Sequence, residues 1–196
     1  YGTIGEALTN AEFGDVIRVA EGTCYENVEI YNDVSISGSW EKDFSEQVRD
    51  SQGDVILSTY IDALGSGRVA TVNSSADSVW LSYLIFMNGD AANGGGIWSQ
   101  AGDLIVYDSW VYTNTADYGG GIYVDGGVTK LRESIVTNNL AHNDGGGAYI
   151  DSPQEVEISR SMFYSNEAAS GSGGGFYCAS GSGVHASANY VASNRA

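Results

Sequence analysis

The sequence predicts an all-β solenoid, a parallel β-helix of about seven coils with a short capping helix at its N-terminal end. Three observations predict it. Glycine triplets recur at Gly94-Gly95-Gly96, Gly119-Gly120-Gly121, Gly145-Gly146-Gly147 and Gly173-Gly174-Gly175, with first members 25, 26 and 28 residues apart. A fixed phrase returns with them, from Ser109 to Asn114, Ser134 to Asn139, Ser161 to Asn166 and Asn189 to Asn194. Each repeat carries two short alternating runs, such as Trp110-Val111-Tyr112 and Ile122-Tyr123-Val124, and none holds ten residues of helical periodicity. Side chains two apart share one face of a strand, so these runs read as strands. Coils stacked at the ~4.8 Å strand spacing make a rod roughly 35 Å long.

The chain reads as one β-helix domain over 1–196, with a cap in 1–15, irregular first coils in 16–78 and glycine-triplet coils in 79–196. In the cap, Thr3-Ile4-Gly5-Glu6 is a capping-box pattern, and Ile4, Ala7, Leu8 and Ala11 fall on one helical face. A short amphipathic helix there covers the open end of the stack, whose edge would otherwise invite association. Strands begin within Asp15 to Ala20. At the other end the chain stops at Asn194-Arg195-Ala196, before any further triplet. The last coil thus reads as incomplete, either because the chain is a piece of a longer protein or because another molecule completes it. Head-to-tail stacking of that kind gives a filament, and strand donation to an open edge is the same physics.

Asn114-Thr115-Ala116 before Gly119-Gly120-Gly121-Ile122, and Asn139-Leu140-Ala141 before Gly145-Gly146-Gly147-Ala148, resemble secreted bacterial right-handed β-helix proteins. They match the polymorphic outer-membrane repeat type, marked by Gly-Gly-Ala/Gly-Ile/Leu and Asn-x-Ala. Ile4 to Ile30, with Gly22-Thr23-Cys24-Tyr25-Glu26-Asn27, is similar to the cap and first coil of pectate-lyase-like β-helices. Ser37-Gly38-Ser39-Trp40 and Gly65-Ser66-Gly67-Arg68-Val69 resemble the next two coils. The resemblance implies a right-handed solenoid and a secreted, extracellular or cell-surface location. It says little about activity, because folds do not fix functions.

Stacking turns the period into columns of side chains. Ile97, Ile122, Ala148 and Phe176 are expected to face inward, as are Leu104/Val106, Thr129/Leu131, Val156/Ile158 and Val184/Ala186. Asn114, Asn139, Asn166 and Asn194 form a structural asparagine ladder at a tight turn. Trp98, Tyr123, Tyr149 and Tyr177 form an outward aromatic stripe. Trp110, Ile135, Met162 and Tyr190 form a second exposed apolar column if Val111, Val136, Phe163 and Val191 face inward. These stripes have three readings: sheet stabilisation by same-face pairs, lateral packing against another copy, or stacking against sugar rings.

With Lys+Arg 8 against Asp+Glu 25, the net charge is −17. Such a surface repels nucleic acid and anionic membranes. No apolar run of 18 residues is present, so no membrane span is expected. Cys24 and Cys178 lie some 25 Å apart by repeat arithmetic, too far to pair within one molecule. They read as small buried hydrophobes or, less simply, as an intermolecular link. Asp90, Asp117, Asp125, Asp144 and Asp151 are placed on turns and are weak calcium candidates, although the Gly-Gly-x-Gly-x-Asp signature does not repeat. No other cofactor is expected.

No glycosidase or lyase catalytic set is recognisable. Asn114-Thr115-Ala116-Asp117 echoes a glycosidase motif but fits the Asn-x-Ala repeat. Arg132 and Arg160, beside Glu133 and Glu157, are the one plausible cationic group and read as salt-bridged surface residues. His142 and His185 fall in different parts of the coil. The sequence therefore points to a non-catalytic extracellular structural or adhesive protein, self-associating by head-to-tail or lateral packing into a surface or filament subunit. The alternative is a carbohydrate-binding module or divergent polysaccharide lyase acting on a surface polysaccharide.

Overall fold

The N-terminal helix forms where its pattern placed it, over Ile4–Asn10, with Thr3 as N-cap accepting the Glu6 N–H at 3.0 Å. The Glu6 carboxylate reaches back to the Gly2 N–H at 2.8 Å. Glu26 takes two further free donors of the first turn, the N–H groups of Ile4 and Gly5, at 2.9 and 3.0 Å. A carboxylate suits that site, because it meets unpaired donors at the positive end of the helix. Ile4, Ala7 and Leu8 are buried against the first turn of the stack.

Beyond the helix the computed structural model, which describes residues 1–151, 153–180 and 183–196, is a parallel β-solenoid. One full turn runs through Asp103–Tyr107, Trp110–Tyr112, Thr115–Tyr118 and Ile122–Asp125, on sheets numbered first to fourth in that order. The sequence pattern showed fewer strands per turn. Two of the four go beyond the two runs read in each repeat, and one of these, Thr115–Tyr118, shrinks to two residues at its equivalent Leu140–Ala141, too short for alternation to register.

The first and second sheets stack seven strands each, the fourth six and the third four. The stack closes about five turns, fewer than the seven coils expected. Among the described residues, the first two passes make no third-sheet strand, and the last contributes only Val184–Ser187 and Tyr190–Ala192. Residues 41–58 leave the stack between Ser35–Trp40 and Thr59–Asp62, tied back by antiparallel bridges Trp40–Gln47 and Arg49–Val55.

Register is strict from rung to rung. Ile97, Ile122 and Ala148 align and are fully buried, with Phe176 half-buried below them. Phe86, Val111, Val136 and Phe163 form the inner column of the second sheet. Leu104, Thr129 and Val156 do the same on the first, as do Val106, Leu131 and Ile158. Each buried aliphatic or aromatic side chain contributes roughly 1.5–3 kcal/mol. Val184, Ala186 and Val191 continue these inward columns on the last described rung and are exposed, Val191 at 65%.

Candidate functional site

Two corners of the later turns are built from polar ladders. Between the second and third sheets, a residue with left-handed backbone (Asn88, Thr113, Asn138, Ser165 or Ser193, φ 52–57°) precedes the ladder position. Asn139 Oδ1 accepts both the backbone N–H and the Nδ2 of Asn114 at 3.1 Å, while Asn139 Nδ2 donates to Val111 O at 2.9 Å. Asn166 and Asn194 repeat the arrangement, and Asn114 Oδ1 takes the Gly89 N–H at 2.8 Å. The asparagine column is thus bonded along its full length.

A second ladder occupies the corner between the first and second sheets. The Leu84 N–H donates to Ser109 Oγ at 3.2 Å, Ser109 N–H to Ser134 Oγ at 3.3 Å, Ser134 N–H to Ser161 Oγ at 3.2 Å and Ser161 N–H to Asn189 Oδ1 at 2.9 Å. Tyr83, Asp108, Glu133, Arg160 and Ala188 precede it with φ between 42° and 57°. A left-handed L-residue costs roughly 1–2 kcal/mol, which the buried ladder bonds offset. The serine that opens each repeated phrase was the signal for this ladder, and sequence reasoning did not assign it one.

The aromatic stripe lies on the outer face of the fourth sheet in the register Trp98, Tyr123, Tyr149, Tyr177. Its rings face one another. Tyr123 and Tyr149 are stacked with centroids 5.1 Å apart and planes within 4°, Tyr149 and Tyr177 follow at 5.2 Å, and Tyr118 meets Tyr149 edge-on at 5.5 Å. Arg68 lies 4.4 Å over the Trp98 ring while its Nε and Nη2 donate to Asn93 O. Burial, with Asp151 and Asp125 nearby, pushes the Tyr123 phenol up to about 12. Sugar stacking needs a free ring face, and between Tyr123 and Tyr149 the faces are spent on each other.

The cationic candidates are also paired rung to rung. Arg132 donates to Glu157 with Nε at 3.0 Å and Nη2 at 2.7 Å, and Arg160 Nε donates to Glu133 Oε1 at 2.9 Å. Hydrogen bonds from these guanidiniums hold both carboxyls below the usual range. Tyr107 Oη donates to Glu133 at 3.2 Å, and its phenol is pushed up to about 12, chiefly by burial. His185 aligns with Glu157 on the first sheet, whereas His142 pairs with Asp117 at 3.1 Å on the third.

The calcium candidates are dispersed, and fewer of them sit on turns than expected. Asp117 lies inside Thr115–Tyr118, and Asp90 opens Asp90–Asn93. Asp125 and Asp151 end adjacent fourth-sheet strands in register, and Asp144 Oδ1 accepts the Ser172 N–H at 2.7 Å. Among the described residues, no three His, Cys, Asp or Glu side chains gather as a metal site. Cys24 and Cys178 are both free and half-buried, one on the second sheet and one on the fourth.

The outer face of the second sheet differs from the others. Trp110, Ile135, Met162 and Tyr190 align in one column, continued upward by Ile85 and Tyr60. Asp62, Met87, Tyr112, Thr137, Tyr164 and Ala192 align in the next. Ile85 is buried, Ile135 and Met162 are half-buried, and Trp110 and Tyr190 are exposed at 40% and 57%. Among the described residues, no helix is long and apolar enough to cross a membrane. No protein-family model, curated protein or solved structure matches the chain.

Proposed function

We propose that this chain is a non-catalytic structural or adhesive element working outside the cell, a rigid rod of the secreted bacterial β-helix repeat kind that associates with identical copies. One observation carries the reading: the asparagine, arginine and stacked tyrosine candidates are consumed in contacts between successive turns. Asn114 to Asn194 are bonded to one another, Arg132 and Arg160 are held by Glu157 and Glu133, and Tyr123 is stacked on Tyr149. A polysaccharide lyase or glycosidase needs an available base or a carboxylate pair flanking the scissile bond. A binding module needs open ring faces. A scaffold needs repeated stacking contacts, and this chain has them from Gly89 to Asn194.

The net charge of −17 suits an extracellular, solvated surface and supports the location that the sequence resemblance implies. Calcium enters as a solution condition to be varied, because Asp125 and Asp151 bring two carboxylate-bearing positions side by side.

The experiment is to incubate the chain with neutral and acidic polysaccharides, with and without calcium, following reducing ends and unsaturated uronate absorbance. No product and no saturable binding are expected. Turnover abolished by Glu157→Gln or Asp125→Asn would overturn the reading in favour of a carbohydrate-active protein.

A further inference from the structure

We infer that the first turn of the rod accepts an extended peptide of a partner protein, one with apolar residues at alternate positions and lysine or arginine at its C-terminal end. The peptide adds as a parallel strand to the free edge of Val16–Ala20, in the groove beside the N-terminal helix. This site stands whether or not the rods associate with one another.

The backbone supplies the edge. Val16, Ser35 and Trp80 share one register column. Trp80 donates its N–H to Val34 O at 3.1 Å and Ser35 donates to Asp15 O at 2.9 Å, each bonding the turn before it. Among the described residues, Val16–Ala20 has a strand neighbour on one side only, Ser35–Trp40. Successive residues of a strand turn their N–H and C=O to opposite sides, so Val16 and Arg18 turn theirs to the open one. Val16 is accordingly 60% exposed. The helix leaves this edge open because it is tied down elsewhere: Glu26 takes its first-turn N–H groups, and Asn32 Nδ2 donates to Ala11 O at 3.1 Å.

The groove that results has a volume of about 550 Å³ and runs between Ile4, Ala7 and Ala11 on one side and the strands Val16–Ala20 and Gly22–Cys24 on the other. Ala7 and Ala11 are small and leave room on the inward side, where Ile17 and Val19 pack on the core. An added strand therefore sets its inward side chains against the two alanines and its outward ones beside Val16 and Arg18. Main-chain bonds give such a complex its affinity, and alternate side chains its specificity.

Charge selects the partner. Asp15 and Glu21 line the groove against Arg18, whose guanidinium lies 4.2 Å over the Trp40 ring. Glu21 also lines an adjoining hollow of about 370 Å³, with Glu41 and Asp43 against Lys42. A strand parallel to Val16–Ala20 runs toward Glu21, so cations at its C-terminal end meet three carboxylates there. The net charge of −17 draws a basic segment in and turns an acidic one away.

The test is fluorescence anisotropy on the full chain with the peptide fluorescein-Thr-Val-Thr-Val-Thr-Lys-Lys-amide, beside the same peptide N-methylated at both valines. The two carry equal charge and differ in the backbone donors that face the edge. The inference expects saturable binding of the first below about 1 mM, and at least about tenfold weaker binding of the second. Exchanging both peptide lysines for glutamate, or Glu21→Lys in the chain, is expected to weaken binding about threefold or more. Ala11→Phe, its fold checked by circular dichroism, fills the groove and is expected to weaken binding at least about tenfold. Hydrogen exchange on the unaltered chain needs no variant, and there the Val16 and Arg18 amides are expected to slow when the peptide is bound. No saturable binding would overturn the inference. Equal binding of the N-methylated peptide would overturn strand addition, and equal binding of the glutamate peptide would overturn the basic partner. Full binding by folded Ala11→Phe, or protection on Ile135–Thr137 in place of Val16–Ala20, would overturn the site.

Discussion

Asn114 sends two donors, its backbone N–H and its side-chain Nδ2, to a single oxygen of Asn139, each at 3.1 Å, and both residues are buried. The same geometry repeats from Asn139 to Asn166 and from Asn166 to Asn194. Each asparagine therefore holds the turn above it and is held by the turn below.

Replacing Asn139 with alanine removes the acceptor for both Asn114 donors and the donor to Val111 O, leaving buried groups unpaired. The expected loss is about 3–5 kcal/mol in chemical denaturation, set by the cost of orphaned buried polar groups. Asn194→Ala, on the half-buried last rung, is expected to cost only about 1 kcal/mol. Equal losses at both positions would mean that the ladder does not act through burial.

The glycine triplets serve two different needs. The first member has left-handed backbone, φ 62° at Gly119, whereas a Cβ on Gly120 would run into the Leu140 and Gly146 carbonyls of the next turn. Gly120→Ala is expected to cost about 3 kcal/mol or more, since backbone cannot yield as a side chain can. Gly126 also has positive φ, 87°, but its Cβ would meet open space. Gly126→Ala is expected to cost about 1–2 kcal/mol of backbone strain. The two melting curves, measured side by side, check the distinction.

Thr129 occupies an inner column between Leu104 and Val156, fully buried, and its hydroxyl has no hydrogen-bond partner among the described residues. Thr129→Val keeps the shape and removes the unsatisfied group. A gain of about 1 kcal/mol in unfolding free energy is expected. A loss on denaturation would show that the hydroxyl is bonded in solution.

The stacked tyrosines make stability depend on pH at the alkaline end. Tyr123 ionises at about 12 in the fold against 10.0 ordinarily, mainly through burial. A raised value in the folded state favours the protonated phenol, so its contribution is complete below pH about 10 and is lost as pH rises through about 12. Ultraviolet titration is expected to show a late phenolate transition, to which Tyr107 also contributes, whose amplitude Tyr123→Phe reduces. Disappearance of the same transition in Tyr25→Phe, an exposed residue outside the stack, would contradict the assignment.

The solenoid, its helix and the facing of its columns were legible because a stacked coil repeats each environment, so Ile97, Ile122 and Ala148 report one position three times. The asparagine ladder was legible for the same reason. The serine ladder was not, because Ser109, Ser134 and Ser161 also read as ordinary turn residues, and the left-handed residues before them share no side-chain type. Tyr83, Asp108, Glu133 and Arg160 differ in everything except φ. The sequence placed Trp98, Tyr123, Tyr149 and Tyr177 on one outer column but not the plane of each ring. That plane comes from rung spacing and side-chain packing, and it decides whether a face is open to a ligand. The pairing of Arg132 with Glu157 and Arg160 with Glu133 was readable from the repeat, since each partner lies one turn away.

The most direct measurement is light scattering combined with negative-stain microscopy on the untagged chain, across a concentration series with and without calcium. A rod that associates with its own copies is expected to rise in mass with concentration, up to about 100 µM, and to show particles at least two rods wide or longer than one. A single monomer mass at every concentration and calcium level would contradict the account.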